Sequence, residues 1–217
     1  KQAIEKIKKS KKPIIISGGG VFYSDAMDEL GSFAIKHNIP VTQTVMGYST
    51  MKRDHSHFLG PIGGLGGKAA NNLAKETDLA ICVGTKLADF TTGSWANFEN
   101  PEFKLVSINI ARHDANKHLA EAVIGDAKVC LSELSNSLGN WKSPDSWYKK
   151  SQDELKSWNE YVDKESGPTN QETPNYAHAV GAIYRNSDPT DIAVTAAGGL
   201  VGDCLLYTSD AADDANC

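Results

Sequence analysis

Short apolar runs that each stop at glycine constrain this chain most. Ala80-Ile81-Cys82-Val83 ends on Gly84, and Pro13-Ile14-Ile15-Ile16-Ser17 ends on Gly18-Gly19-Gly20. Runs this short and this uniformly apolar are too brief for an amphipathic helix and read as strands covered on both faces, the hallmark of a parallel sheet. Parallel neighbours need crossover connections, and helical patterns lie between the runs. The helix carrying Met27, Leu30, Phe33, Ala34 and Ile35, with Ser24 as its expected cap, is halted by Asn38 and Pro40. Val41-Thr42-Gln43-Thr44 follows as a strand, then a helix over 68–76, strands over 79–83, 105–110 and 122–124, and a helix over 126–138 with Val129, Leu131 and Leu134 inward. The fold class is therefore α/β: a doubly wound, mainly parallel, Rossmann-like sheet of five strands.

In such sheets ligands gather beyond the carboxyl ends of the strands. Two glycine loops fall there, Gly18-Gly19-Gly20 and Gly63-Gly64-Leu65-Gly66-Gly67. Either could bring backbone N–H groups to a phosphate at the start of a helix, although neither keeps the dinucleotide-binding G-x-G-x-x-G spacing in its context. After Gly84 comes a polar loop with Thr85, Lys86, Asp89, Thr91, Thr92 and Ser94. The candidate cofactor rim is thus Gly18, Gly19, Gly64, Gly84, Thr85 and Thr92, and Thr91, Thr92 and Ser94 are candidates for a substrate entrance.

The net charge of −5 over 217 residues is mild and interspersed, which speaks against nucleic-acid and anionic-membrane partners. No apolar run approaches the roughly 20 residues of a membrane helix, so a cytoplasmic location is expected. Cys82, Cys130, Cys204 and Cys217 show no metal-ligand spacing. Asp54-His55-Ser56-His57 reads as a solvated loop, His113 and His118 likewise, and Asp114 as the acid of a helix's first turn; no catalytic residue and no metal ligand is assigned.

Residues 141–172 change character, and Trp147, Leu155, Trp158, Tyr161 and Val162 at helical intervals predict a connecting helix laid on a neighbour. Tyr176 to Arg185 reads as a helix and Asp191 to Ala196 as a buried strand ending at Gly198-Gly199. From Cys204 the chain reads CLLYTSDAADDANC, whose back-translation resembles the end of a transposase adaptor used for sequencing libraries; 204–217 is expected to be an artefact. Lys1 opens inside a helical pattern without an initiator methionine, so an internal fragment is expected.

The order GGG, glycine-rich loop, GTKLADFTTGSWANF, KLVSINIARHDANKH and VIGDAKVCLSEL resembles the central domain of thiamine-diphosphate enzymes of the acetolactate synthase type. The resemblance covers about residues 12–203. It implies a central domain over 1–140, a helical linker over 141–172 and the start of a diphosphate-binding domain over 173–203. It also implies a homodimer or homotetramer, a small-molecule substrate, and thiamine diphosphate with Mg2+ held mainly by flanking domains, so that this stretch alone would be inactive. Within the group, DFTTGSWANF with INIARHDANKH looks most like the hydrolytic branch that opens a cyclic dione; carbon–carbon ligases of the acetolactate synthase or glyoxylate carboligase type, and a stand-alone nucleotide-binding module, are the alternatives. Synthase relatives bind FAD through an RFDDR element and an acidic IDID strand end. The matching Lys86-Leu87-Ala88-Asp89-Phe90 lacks both arginines, and Ile108-Asn109-Ile110-Ala111 lacks the carboxylates, so FAD is not expected.

Overall fold

The computed structural model describes residues 1–188 and 191. In chain order the elements are α1 (Gln2–Lys9), β1 (Pro13–Ser17), α2 (Gly19–Tyr23), α3 (Met27–His37), β2 (Val41–Gln43), β3 (Phe58–Pro61), α4 (Lys68–Glu76), β4 (Leu79–Val83), α5 (Asp89–Thr92), β5 (Lys104–Asn109), α6 (Arg112–Ala115), β6 (Glu121–Ile124), α7 (Ala127–Leu138), α8 (Asp145–Glu165) and α9 (Tyr176–Asn186). All strand pairs are parallel, in the order β3-β2-β1-β4-β5-β6. This is the doubly wound arrangement, and the strand order reverses between β1 and β4.

β1 and β4 are buried at every position because helices cover both faces. Ile15, Ile81, Val83 and Val106 face a core completed by Ile7, Leu30, Phe33 and Leu131. Ile14, Ile16, Ala80 and Cys82 face a second core with Leu73, Ala74 and Trp147. Each wholly buried isoleucine contributes about 1.5–3 kcal/mol, and Ile14, Ile15, Ile16 and Ile81 are all at 0% exposure. The start of the sheet is tied by Asp78, whose carboxylate accepts from Ser10 Oγ, from Lys11 N at 2.8 Å and from Lys12 N at 3.1 Å.

Trp147 at the start of α8 sits in the second core, and its indole N–H donates to the Pro13 carbonyl at 2.8 Å. The aromatic stripe over 141–167 thus forms a helix packed on α4, as its periodicity implies. Tyr161 is the exception and stays more than half exposed. α9 docks on α8 through Val180 against Val162 and Trp158.

Several details differ from the pattern of the sequence. There are six strands among the described residues; the additional one, β3, carries glycine and proline in Phe58-Leu59-Gly60-Pro61, a loop-like composition that an edge strand tolerates. Gly19 and Gly20 open α2 rather than forming a plain turn. α3 is preceded by Ala26 without a side-chain cap, so Ser24 does not cap it, whereas Asn38 does end it in the left-handed conformation. Val129 is 60% exposed and points away from the core that Leu131 and Leu134 enter. The expected strand over 191–196, its Gly198-Gly199 end and the 204–217 segment lie outside the described residues, apart from Asp191.

Candidate functional site at the sheet rim

Gly18 follows β1 and Gly84 follows β4, so both stand at the reversal point. A Cβ on Gly18 would lie 2.6 Å from the Gly84 carbonyl oxygen and 2.6 Å from Thr85 Cβ; one on Gly20 would lie 2.6 Å from Gly84 Cα. Backbone therefore touches backbone. The Gly18 N–H donates to the Val83 carbonyl at 2.9 Å, and the Gly20 N–H to the Gly84 carbonyl at 3.0 Å, which extends the β1–β4 ladder past the strand ends. Gly84 has φ of +61° and in turn donates to Ile108 O at 2.9 Å. Thr85 is buried, and its hydroxyl accepts from Leu87 N at 3.3 Å.

Gly19 packs under the turn after β2, where a Cβ would come within 2.8 Å of the Met46 carbonyl oxygen. That turn is held by Thr44 N donating to Ser17 O and by the buried Ser17–Thr50 hydroxyl pair at 2.7 Å. Asn109 closes the other side. Its Nδ2 donates to Thr85 O at 3.3 Å, and its Oδ1 accepts from Ala111 N at 2.9 Å.

The remaining candidates form a second group. Gly64 N donates to Phe90 O at 2.8 Å, which fastens the glycine loop after β3 to α5. Asn71 on α4 clamps that loop, accepting from Gly63 N at 2.9 Å and donating to Gly63 O at 3.0 Å. Asn97 donates to the same Asn71 oxygen at 3.1 Å. Thr92 is wholly buried, with its hydroxyl donating to Asp89 O and accepting from Trp95 N. It braces the loop from inside. Thr91 is half-buried and Ser94 exposed, in a left-handed turn with φ of +54°.

Sequence reasoning missed Asn71, Asn97 and Asn109, the side chains that shape both loops. The signal available was an asparagine beside each glycine loop or strand end. Outside these loops the rim is apolar: Tyr23, Met46, Phe90, Ile110 and Leu119 are each more than half exposed.

The histidines depart from the expected solvated loop. His57 is 6% exposed, stacks on Tyr148 at 4.4 Å, and is pushed down to about 4, first by burial and then by the neighbouring His55. Burial also lowers His55 and His37. His118 packs on Trp95 at 4.4 Å, and Asp114 pairs with Lys117. No three His, Cys, Asp or Glu side chains converge as a metal site among the described residues. No helix among them is long and apolar enough to cross a membrane.

Residues 1–134 match the family described as thiamine pyrophosphate enzyme, central domain. The chain is 36% identical over 236 aligned residues to a 3D-(3,5/4)-trihydroxycyclohexane-1,2-dione hydrolase of Clostridium perfringens (strain 13), covering 98% of this chain and 37% of the relative. A protein of the same name from Clostridium botulinum (strain Eklund 17B) is 38% identical over 208 residues, covering 92% and 32%. Another so named, from Bacillus cereus, is 48% identical over 136 residues, covering 63% and 21%. The chain spans about a third of the length of the first two of these relatives.

Proposed function

Since this chain belongs to the thiamine pyrophosphate enzyme family through its central domain, we propose that the whole protein is a hydrolase that opens trihydroxycyclohexane-1,2-dione to 5-deoxyglucuronate in myo-inositol breakdown. The observation that carries this reading is the similarity to dione hydrolases along 98% of the chain. In that reaction one water is consumed and the bond between the adjacent carbonyl carbons breaks. One carbonyl carbon leaves as a carboxylate and the other as an aldehyde. Thiamine diphosphate supplies the electron sink that such a cleavage requires.

The described residues do not fit a diphosphate and its Mg2+. The Gly18 and Gly20 N–H groups are engaged by strand-end carbonyls, and no acidic cluster converges beside them. We therefore assign the cofactor and Mg2+ to other domains of the protein. FAD is not part of the proposal, because Asn109 stands where an acidic strand end would be and its amide is tied into the rim.

On this reading the domain supplies structure and contact surface in a homodimer or homotetramer. The support is a reversal point filled by its own backbone, ringed by exposed Tyr23, Met46, Phe90 and Ile110. Gly64, Thr91 and Ser94, at the outer edge of the clamped loop, are proposed to border the substrate entrance, with Thr92 bracing them. The full-length protein, supplied with thiamine diphosphate, Mg2+ and the cyclic dione, should yield the ring-opened acid. Release of CO2 from pyruvate or glyoxylate, with no dione consumed, would instead make it a carbon–carbon ligase.

A further inference from the structure

Gln43, the last residue of β2, is 2% exposed, yet its Oε1 has no hydrogen-bond partner. A buried amide oxygen left unmade costs about 1–3 kcal/mol, so such atoms call for an explanation. Gln43 lines a cavity of about 80 Å3 between the β2–β3 edge and α8. Phe58, Leu59, Leu155 and Trp158 give it apolar walls, and Arg53 and Asn159 add polar ones. Gly60 forms one side with φ of +88°, and a Cβ there would meet nothing within 4 Å, so the cavity is open beside it. The position is beyond the carboxyl ends of two strands, where α/β sheets take ligands.

The polarity selects the ligand. The Arg53 guanidinium among the lining groups disfavours a cation, and a carboxylate or phosphate would meet the lone pairs of Oε1. If the Gln43 amide is turned over, a donor replaces the acceptor in the same place. Only a group that both donates and accepts suits either orientation, and that is a hydroxyl. Water alone needs two to four polar partners, whereas these walls are largely hydrocarbon and match the C–H faces of an organic molecule. We propose that this cavity binds a small neutral polyol, with one hydroxyl on the Gln43 amide and its carbon skeleton against Trp158 and Leu155. The site is separate from the glycine rim and independent of any thiamine chemistry.

The test titrates the chain with glycerol, erythritol and xylitol, with phosphate and acetate in parallel, and follows the indole N–H resonances of its four tryptophans. A polyol should shift the Trp158 resonance saturably and leave that of Trp147 unmoved. Gln43→Leu should weaken binding at least about tenfold, the worth of one good hydrogen bond, while leaving the urea midpoint unchanged or raised because an unmade polar atom is gone. Leu155→Phe, which narrows the cavity from the opposite wall, should also abolish the shift if Gln43→Leu fails to fold. The proposal is overturned by no saturable shift with any polyol, by a shift with phosphate or acetate in its place, or by unchanged affinity in a folded Gln43→Leu or Leu155→Phe variant.

Discussion

Gly18 and Gly84 meet backbone to backbone at the point where the strand order reverses, 2.6 Å separating the position of a Gly18 Cβ from the Gly84 carbonyl oxygen. The two glycines fill with protein the crevice that a doubly wound sheet commonly leaves for a ligand. Gly84→Ala should therefore destabilise the domain by about 2–4 kcal/mol, combining a left-handed φ with a clash on Gly20. Gly60→Ala, at φ of +88° but in open space, should cost only about 1 kcal/mol. Urea unfolding of the two variants side by side measures the difference, and equal losses would show that the contact contributes little.

Asn71 holds both the N–H and the C=O of Gly63 and receives Asn97. Asn71→Ala should loosen the glycine loop without unfolding the sheet, at a cost of about 1–3 kcal/mol. Hydrogen exchange at the Gly63 and Gly64 amides should accelerate, and exchange at Ile15 and Ile81 should change far less.

The pH dependence follows from His57. Burial holds its folded value near 4 against about 6.5 when unfolded, so between those values the unfolded chain binds the extra proton. Stability contributed by neutral His57 is present above pH 6.5 and is lost as the pH falls toward 4. His55 and His37 are shifted the same way and add to the slope. Urea midpoints at pH 7 and pH 5 should differ by an amount on the order of a few kcal/mol. His57→Phe, which keeps a ring against Tyr148, should flatten that slope.

How much of this is legible in the sequence depends on whether the local pattern and the tertiary role agree. β1, β4 and β5 are readable because helices on both sides demand unbroken apolar runs. β3 is not, since an edge position lets Gly60 and Pro61 sit inside a strand. The triple glycine announces an unusual backbone. Its reason, contact with Gly84 across sixty-odd residues, is not a local property. Val129 follows helical spacing but lands on the solvent side of α7, and His57 lies in a polar stretch that α8 happens to cover with Tyr148. Thr92 draws attention for its hydroxyl, and that hydroxyl is spent on its own loop.

Burial pushes the Cys82 thiol far up, out of the range where thiolate forms near neutral pH. Iodoacetamide should leave Cys82 unmodified in the folded chain while half-buried Cys130 is alkylated slowly. Mass spectrometry of peptides after native and denaturing treatment separates the two. Early modification of Cys82 would mean that the centre of the sheet opens.

The filled reversal point is tested most directly by calorimetry on the 217-residue chain, once cooperative urea unfolding has shown it folded. FAD, and thiamine diphosphate with Mg2+, are titrated in turn. The account predicts no binding heat from either, because the rim amides and the crevice are already occupied by the protein's own backbone. Stoichiometric, tight binding of FAD or of thiamine diphosphate would contradict it.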